Sequence, residues 1–147
     1  MKISVDSIES MHKLGAKIGA QLKAGDVVVL TGELGSGKTS LTKGIAKVFG
    51  ISDVSSPTFV ISRIHKASPN FIHVDAYRLL GQDPINFTDL DFESYLDNSV
   101  FVIEWGKDFV EMLTDQYLEI QIEPGEGDSS RIIEFISFGE RWAGFKV

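Results

Sequence analysis

Residues 27–39 have the sequence VVVLTGELGSGKT, and this stretch decides the fold. Its first part, residues 27–31, is a continuous apolar run of strand length, which is typical of a strand covered on both faces in a parallel sheet. The following segment, residues 32–39, matches the pattern G-x-x-x-x-G-K-[ST] at every fixed position. An apolar stripe at helical spacing then continues as far as Gly50. The stretch therefore predicts a strand, a glycine-rich loop and a helix in immediate succession.

The glycine-rich loop predicts a site for the phosphates of a nucleotide. Glycines let backbone N–H groups turn toward phosphate oxygens where a Cβ would intrude, and the helix N-terminus adds free donors. We expect Lys38 to contact the β- and γ-phosphates and the Thr39 hydroxyl to bind Mg²⁺. The nucleotide-binding residues predicted around the loop are Leu34, Gly35, Ser36, Gly37, Lys38, Thr39 and Ser40.

The rest of the chain predicts an α/β fold around this loop. Predicted strands cover residues 3–5, 27–31, 58–64, 71–75, 100–103, 118–122 and 131–138. Predicted helices cover residues 6–22 and the segment from the loop to Gly50, with short helices at 91–96 and 109–113. We predict one P-loop NTPase-like domain over residues 1–147, with a central, mostly parallel sheet flanked by helices and an antiparallel hairpin at its C-terminal edge.

Two details of these elements are open to test. Asp6, with Glu9 three residues later, predicts the start of the first helix as a capping box. In the strand at 118–122, apolar residues alternate with Glu119 and Gln121, which predicts a strand with one face buried.

The composition limits the classes of function. The 147 residues carry a formal net charge of −7 and no cysteine, so a disulfide scaffold, a thiolate metal site and a thiol nucleophile are excluded. Proteins that bind nucleic acid without a partner usually present a basic surface. We therefore expect no independent nucleic-acid binding by this acidic chain. No apolar run approaches the roughly 20 residues of a membrane span, and residues 1–6 lack a signal pattern. We expect a cytoplasmic protein without membrane contact.

Two apolar strands end in an acid, Asp75 and Glu104. In a parallel sheet the C-terminal ends of the strands meet the phosphate loop, so either carboxylate could face Mg²⁺. Thr58 could sense the γ-phosphate through the metal, and Trp105 could stack on the base. The three histidines have no metal-ligand partner at suitable spacing, so we interpret them, His73 included, as structural or solvated.

Several nucleotide-dependent functions remain after this reasoning. A guanine-recognising N-K-x-D segment is absent, which argues against a GTPase, and the few arginines are too scattered for the lid of a typical small-molecule kinase. A small-molecule kinase nevertheless stays open, as does a nucleotide-dependent binding module with slow hydrolysis.

Four motifs together resemble one family. They are GELGSGKT at 32–39, SPTF at 56–59, HVDAYR at 73–78 and IEW at 103–105. In order and spacing they resemble the bacterial TsaE family (older name YjeE) over nearly the whole chain. The resemblance implies an Mg²⁺-dependent ATPase needed for threonylcarbamoyl modification of adenosine 37 in tRNA. It also implies TsaD and TsaB as partners, with tRNA contacted only through their complex.

The same resemblance assigns roles to individual residues. It implies that Thr39 and Glu104 bind Mg²⁺, that Thr58 is a switch residue and that Trp105 lies near ATP. Asp75 would be the second functional acid. With Lys38, these two acids form the predicted catalytic set of an ATPase whose basal activity we expect to be low.

Overall fold

A seven-stranded mixed sheet forms the centre of the protein in the computed structural model, which describes residues 1–54 and 61–147. The strands are β1 (Lys2–Val5), β2 (Val27–Thr31), β3 (Ser62–His65), β4 (Asn70–Asp75), β5 (Ser99–Glu104), β6 (Tyr117–Pro124) and β7 (Arg131–Phe138). Their order across the sheet is β1-β7-β6-β2-β5-β4-β3. The predicted strand at 58–64 is confirmed for its part in β3, and its residues 58–60 lie outside the described residues.

The middle of the sheet is parallel, as predicted. β2 pairs in parallel with both β5 and β6, and β4 pairs in parallel with β5. β6 and β7 form the predicted antiparallel hairpin, but the hairpin is not at the edge of the sheet. β1 returns to pair antiparallel with β7, which satisfies backbone groups that an edge strand would leave unpaired.

Helices cover the two faces of the sheet unequally. The α-helices are α1 (Ile8–Gly19), α2 (Lys38–Val48) and the one-turn α3 (Ile85–Thr88). Short 3₁₀ helices lie at Tyr77–Leu79, Phe92–Asn98, Val110–Met112 and Glu140–Trp142. α1 and α2 both pack on one face, whereas the other face is covered by residues of α3 and the first three 3₁₀ helices. The predicted flanking helices are therefore long on one face of the sheet and short on the other.

Helix α1 differs from its prediction at both ends. Its N-cap is Ser7, whose hydroxyl accepts a hydrogen bond from the backbone of Ser10, so Asp6 is not the cap. The helix ends at Gly19, and Leu22 joins the core from the turn beyond it.

Close packing of α1 on α2 fixes the helix that follows the glycine-rich loop. A Cβ at Gly44 would lie 2.4 Å from the carbonyl oxygen of His12, and one at Gly15 would lie 2.6 Å from that of Leu41. Only glycine allows the two helix backbones to approach this closely. The start of α2 is thereby held against the sheet.

The central strands β2 and β5 are buried, and only Thr31 at the end of β2 is partly exposed. The apolar residues of β2 and β5 have no exposed surface, which confirms the expectation of strands covered on both faces. The prediction of a strand with one face buried is wrong at Glu119, which is 1% exposed on β6. Because β6 lies inside the sheet, the Glu119 carboxylate is enclosed, and it accepts a hydrogen bond from Thr31 Oγ1 at 2.8 Å. Among the described residues, no helix is long and apolar enough to cross a membrane.

Candidate nucleotide-binding site

The glycine-rich loop connects the C-terminal end of β2 to the first turn of α2. At its start, a Cβ on Gly32 would lie 2.6 Å from Ser36 Oγ and 2.8 Å from the carbonyl oxygen of Ile122, so the loop is folded back tightly on the sheet. At its end, Gly37 has φ = 110° and its carbonyl accepts the first helical hydrogen bond. Such a φ favours glycine and turns the loop sharply into the helix.

Two cations hold the loop in shape. Lys38 Nζ donates to the carbonyl oxygens of Gly32 at 2.6 Å and Glu33 at 2.8 Å. On the opposite side, Arg131 Nε donates to the carbonyl of Ser36 at 2.9 Å. Both cations contact neutral carbonyls here, so the loop retains positive charge that an anion can neutralise.

A cavity of about 290 Å³ lies between this loop and the ends of β4 and β5. Its lining residues are Leu34, Gly35, Gly37, Lys38, Thr39, Ser40, Asp75, Glu104 and Trp105. Every one of them was predicted as a site residue from the sequence. Of the other predicted residues, Ser36 lines two adjoining cavities, and Thr58 lies outside the described residues.

The two predicted acids lie side by side at the sheet end of this cavity. Asp75 and Glu104 are register partners on the parallel strands β4 and β5. Burial raises the pKa of Asp75, and the hydrogen bond from the Tyr77 amide, at 3.0 Å, partly offsets that rise. Burial also lowers the pKa of Lys38, while the charges of Glu104 and Asp75 raise it in part. The cavity thus combines one buried cation with two carboxylates.

Trp105 closes the cavity at the lysine end. It directly follows β5 with φ = 60°, and its ring centroid lies 4.6 Å from Lys38 Nζ. The ring of Tyr77 packs against it edge-on with centroids 5.1 Å apart. An indole face above an ammonium group is a favourable cation–π arrangement. The indole therefore lies where Lys38 would meet phosphate oxygens.

A second cavity of about 210 Å³ adjoins the first and was not predicted from the sequence. It shares Gly37 and Ser40 with the first cavity. Its other lining residues are Ser7, Ile8, Met11, Ser36, Asp128, Ser129 and Arg131, from the start of α1, the loop and the region of the β6–β7 turn. No local pattern indicates this cavity, because the two outer segments are more than a hundred residues apart in the chain.

The sequence also missed the environment of His73. This histidine is fully buried on β4, and its Nε2 lies 2.5 Å from Glu104 Oε2. Of the two predicted alternatives, structural or solvated, the structure therefore supports the structural one for His73. The available signal was its position two residues before Asp75, which puts both side chains on the same face of one strand.

The donor set fits a magnesium–nucleotide complex. Among the described residues, no group of three or more His, Cys, Asp or Glu side chains is arranged to hold a metal by itself. Mg²⁺ in nucleotide sites usually takes only one or two protein ligands, and phosphates and waters supply the rest. Thr39 and the two acids, grouped around one cavity, meet that requirement.

Comparison with known proteins places this geometry in a family. The model of the family described as threonylcarbamoyl adenosine biosynthesis protein TsaE matches residues 5–133. A relative from Streptomyces coelicolor, a tRNA threonylcarbamoyladenosine biosynthesis protein TsaE, is 44% identical over 140 residues, covering 90% of this chain and 94% of the relative. The protein of the same name from Bacillus subtilis is 34% identical over 143 residues, covering 95% and 85% of the two chains.

The fold has a similar solved relative as well. The crystal structure of YdiB from Bacillus subtilis aligns with a TM-score of 0.78 at 31% sequence identity. The alignment covers 97% of this chain and 88% of that one. Sequence and architecture therefore agree along most of the molecule.

Proposed function

The chain belongs to the TsaE family, which takes part in tRNA threonylcarbamoyladenosine biosynthesis, and from this premise we propose that it is a Mg²⁺-dependent ATPase. The observation that carries the proposal is a cavity of about 290 Å³ in which Lys38 and the glycine-rich loop face two carboxylates. A loop that supplies amides and a cation, opposed by acids, suits a polyphosphate with its metal.

The phosphates bind against the loop in this proposal. Lys38 exchanges its two carbonyl partners for β- and γ-phosphate oxygens, which are better partners because they are charged. The residues that contact the phosphate chain are Leu34, Gly35, Ser36, Gly37, Lys38, Thr39 and Ser40. Trp105, which lies over Lys38, covers the γ-phosphate end.

The nucleoside then extends into the second cavity. That cavity adjoins the first at Gly37 and Ser40, which line both, and Glu104 and Trp105 are not among its lining residues. Met11 and Ile8 supply apolar surface for a base, and Ser7 and Arg131 supply polar partners. This division leaves the acids free for the reacting end of ATP.

The two acids take different parts in hydrolysis. Thr39 and Glu104 would hold Mg²⁺, which polarises the phosphoryl oxygens when it is bound. Asp75 orients the attacking water, since burial makes its carboxylate a better proton acceptor than an exposed one. Thr58 stays a predicted switch residue.

Partnership with the tRNA-modification machinery completes the proposal. The net charge of −7 is unsuited to independent tRNA binding, so the chain contacts tRNA only through TsaD and TsaB. A cytoplasmic location follows from that role. ATP hydrolysis then drives a conformational or assembly step and leaves the transferase chemistry to the partners.

Phosphate release from Mg-ATP, with and without added TsaB–TsaD, tests this function. We expect low basal release that rises with the partners and falls about 100-fold or more in Lys38→Met, because a lost charge-assisted contact costs a few kcal/mol. Lys107→Met is the matched control, since Lys107 is exposed and pairs with Glu119 outside the cavity.

Three results would redirect the proposal. Wild-type turnover in Lys38→Met would contradict the phosphate site. ADP formed without free phosphate would indicate a small-molecule kinase. Partner binding by the ATP-bound protein that persists without any turnover would indicate a binding module.

A further inference from the structure

A buried histidine that the proposed mechanism does not use lies against the proposed metal ligand. His73 has no exposed surface, and Glu104 is 3% exposed. The 2.5 Å contact from Nε2 to Oε2 is the one hydrogen bond of the Glu104 side chain within residues 1–54 and 61–147. The opposite ring nitrogen, Nδ1, is buried and finds no partner among the same residues.

Strand geometry produces this contact. His73 and Asp75 are on the same face of β4, and Asp75 is the register partner of Glu104 on β5. The imidazole therefore reaches the Glu104 carboxylate diagonally from β4 to β5. Asp75 lies beside that carboxylate at the cavity. Since the carboxylate accepts, Nε2 carries the hydrogen and donates.

We infer that His73 is a positioning residue for the metal site, holding Oε2 of Glu104 so that Oε1 is the oxygen left for Mg²⁺. This inference rests on the proposed function. Groups that hydrogen-bond to a metal ligand commonly fix its orientation and change metal affinity 10–100-fold when they are removed.

The position of Lys38 explains why such a group is needed. The charges of Glu104 and Lys38 already influence each other, because the acid raises the lysine pKa. A buried carboxylate without another partner would turn toward that ammonium group, and the two charges would neutralise each other. His73 supplies a competing donor from the sheet side, so both charges stay available to the nucleotide and its metal.

Substitution of His73 by Leu and by Gln separates positioning from packing. Leucine fills the site without a donor, whereas the glutamine amide places an N–H close to the position of Nε2. The measurement is calorimetric binding of a non-hydrolysable ATP analogue, in EDTA and over a series of Mg²⁺ concentrations. Thermal unfolding is recorded for each variant.

The expected result is specific to the metal. In EDTA, the affinity of His73→Leu for the analogue stays within about twofold of the wild type. In His73→Leu, the Mg²⁺ concentration that gives half of the metal-dependent change in analogue affinity rises about tenfold. In His73→Gln, that concentration returns to within about threefold of the wild-type value. His65→Leu is the matched control, because His65 lies on β3 and packs against Phe71 instead of an acid.

The inference is overturned by equal Mg²⁺ dependence in His73→Leu and the wild type, or by equal loss in the leucine and glutamine variants. A loss of affinity of the same size with and without metal also overturns it, since that is a packing effect. If the leucine variant does not fold, His73→Asn replaces it, because its shorter amide ends near Nδ1 and cannot donate from the Nε2 position.

The wild-type arm separates this inference from the proposed function. Wild-type protein that fails to bind the analogue contradicts the ATPase proposal itself. Wild-type protein that binds it with Mg²⁺ dependence, beside an unchanged His73→Leu, contradicts only the role of His73.

Discussion

Two buried carboxylates at opposite ends of the parallel strands have contrasting surroundings. Asp26, just before β2, and Glu104, at the end of β5, are each 3% exposed. Arg141 donates to both oxygens of Asp26, at 2.8 and 2.7 Å, and the backbone of Lys23 donates to one of them at 2.8 Å. Within the described part of the chain, Glu104 accepts one hydrogen bond and lines a cavity.

At equal burial, the hydrogen bonds thus separate an acid that is satisfied inside the fold from one that is not. A buried charge is costly unless it is paired and hydrogen-bonded, and Asp26 is fully provided for inside the fold. Glu104 keeps unused bonding capacity at the cavity, where we propose that Mg²⁺ binds.

The strongest test of this contrast is Glu104→Gln. The amide keeps the shape and can still accept from His73, but it loses the charge that we propose holds Mg²⁺. We expect phosphate release from Mg-ATP to fall about 100-fold or more, since the metal contributes several kcal/mol. The melting temperature stays within a few degrees or rises. A wild-type rate in this variant would place the metal on another residue.

Asp26→Asn is the converse substitution. Leaving Arg141 without its buried partner costs about 3 kcal/mol, which for this chain length lowers the melting temperature on the order of 10 °C. Phosphate release per folded molecule stays within twofold of the wild type below that temperature. Calorimetric unfolding and active-site titration measure the two quantities, and a catalytic loss larger than the stability loss would contradict the assignment.

A tryptophan lies under a cation at each end of the sheet and extends the comparison. Lys38 lies over Trp105 at 4.6 Å, and Arg141 lies over Trp142 at 4.4 Å. We expect Trp105→Leu to weaken ATP binding about fivefold, because Trp105 is partly exposed and a cation–π contact at an exposed site contributes up to about 1 kcal/mol. Trp142→Leu should lower the melting temperature and leave the affinity of the folded protein within twofold. Equal affinities for all three proteins would remove Trp105 from the site.

A pH dependence of stability is expected at the structural end of the sheet. Burial, then the charges of Glu111 and Glu119, raise the pKa of Tyr117. The neutral phenol is thus fully stabilising below the unfolded-state pKa near 10, and that contribution is lost as pH rises from there toward the folded-state pKa. The free energy of unfolding should fall by up to about 1.4 kcal/mol per pH unit over this window. In Tyr117→Phe, this contribution to the fall should be absent. Urea unfolding at pH 9 and 11 measures this fall. The same loss of unfolding free energy in the wild type and in Tyr117→Phe would show that Tyr117 is not its cause.

Local sequence was sufficient for most of the glycine-rich-loop end of the molecule. The strand, the glycine-rich loop and the helix follow one another in residues 27–48, and Lys38 bonds to carbonyls only five and six residues before it. The acids at the ends of β4 and β5 were also predictable, since parallel strands bring their carboxyl ends to one edge. Every lining residue of the cavity between the loop and these strand ends was therefore named from the sequence.

Only the tertiary structure decided the contacts that join distant segments. His73 meets Glu104 across 31 positions, Thr31 meets Glu119 across 88, and Arg131 reaches the loop across 95. Contacts between distant segments also place β1 outside the hairpin and form the second cavity. Hydropathy patterns report which residues avoid water, but they do not report which partner a buried polar group finds. That choice is made by strand order and register, which depend on the whole chain packing at once.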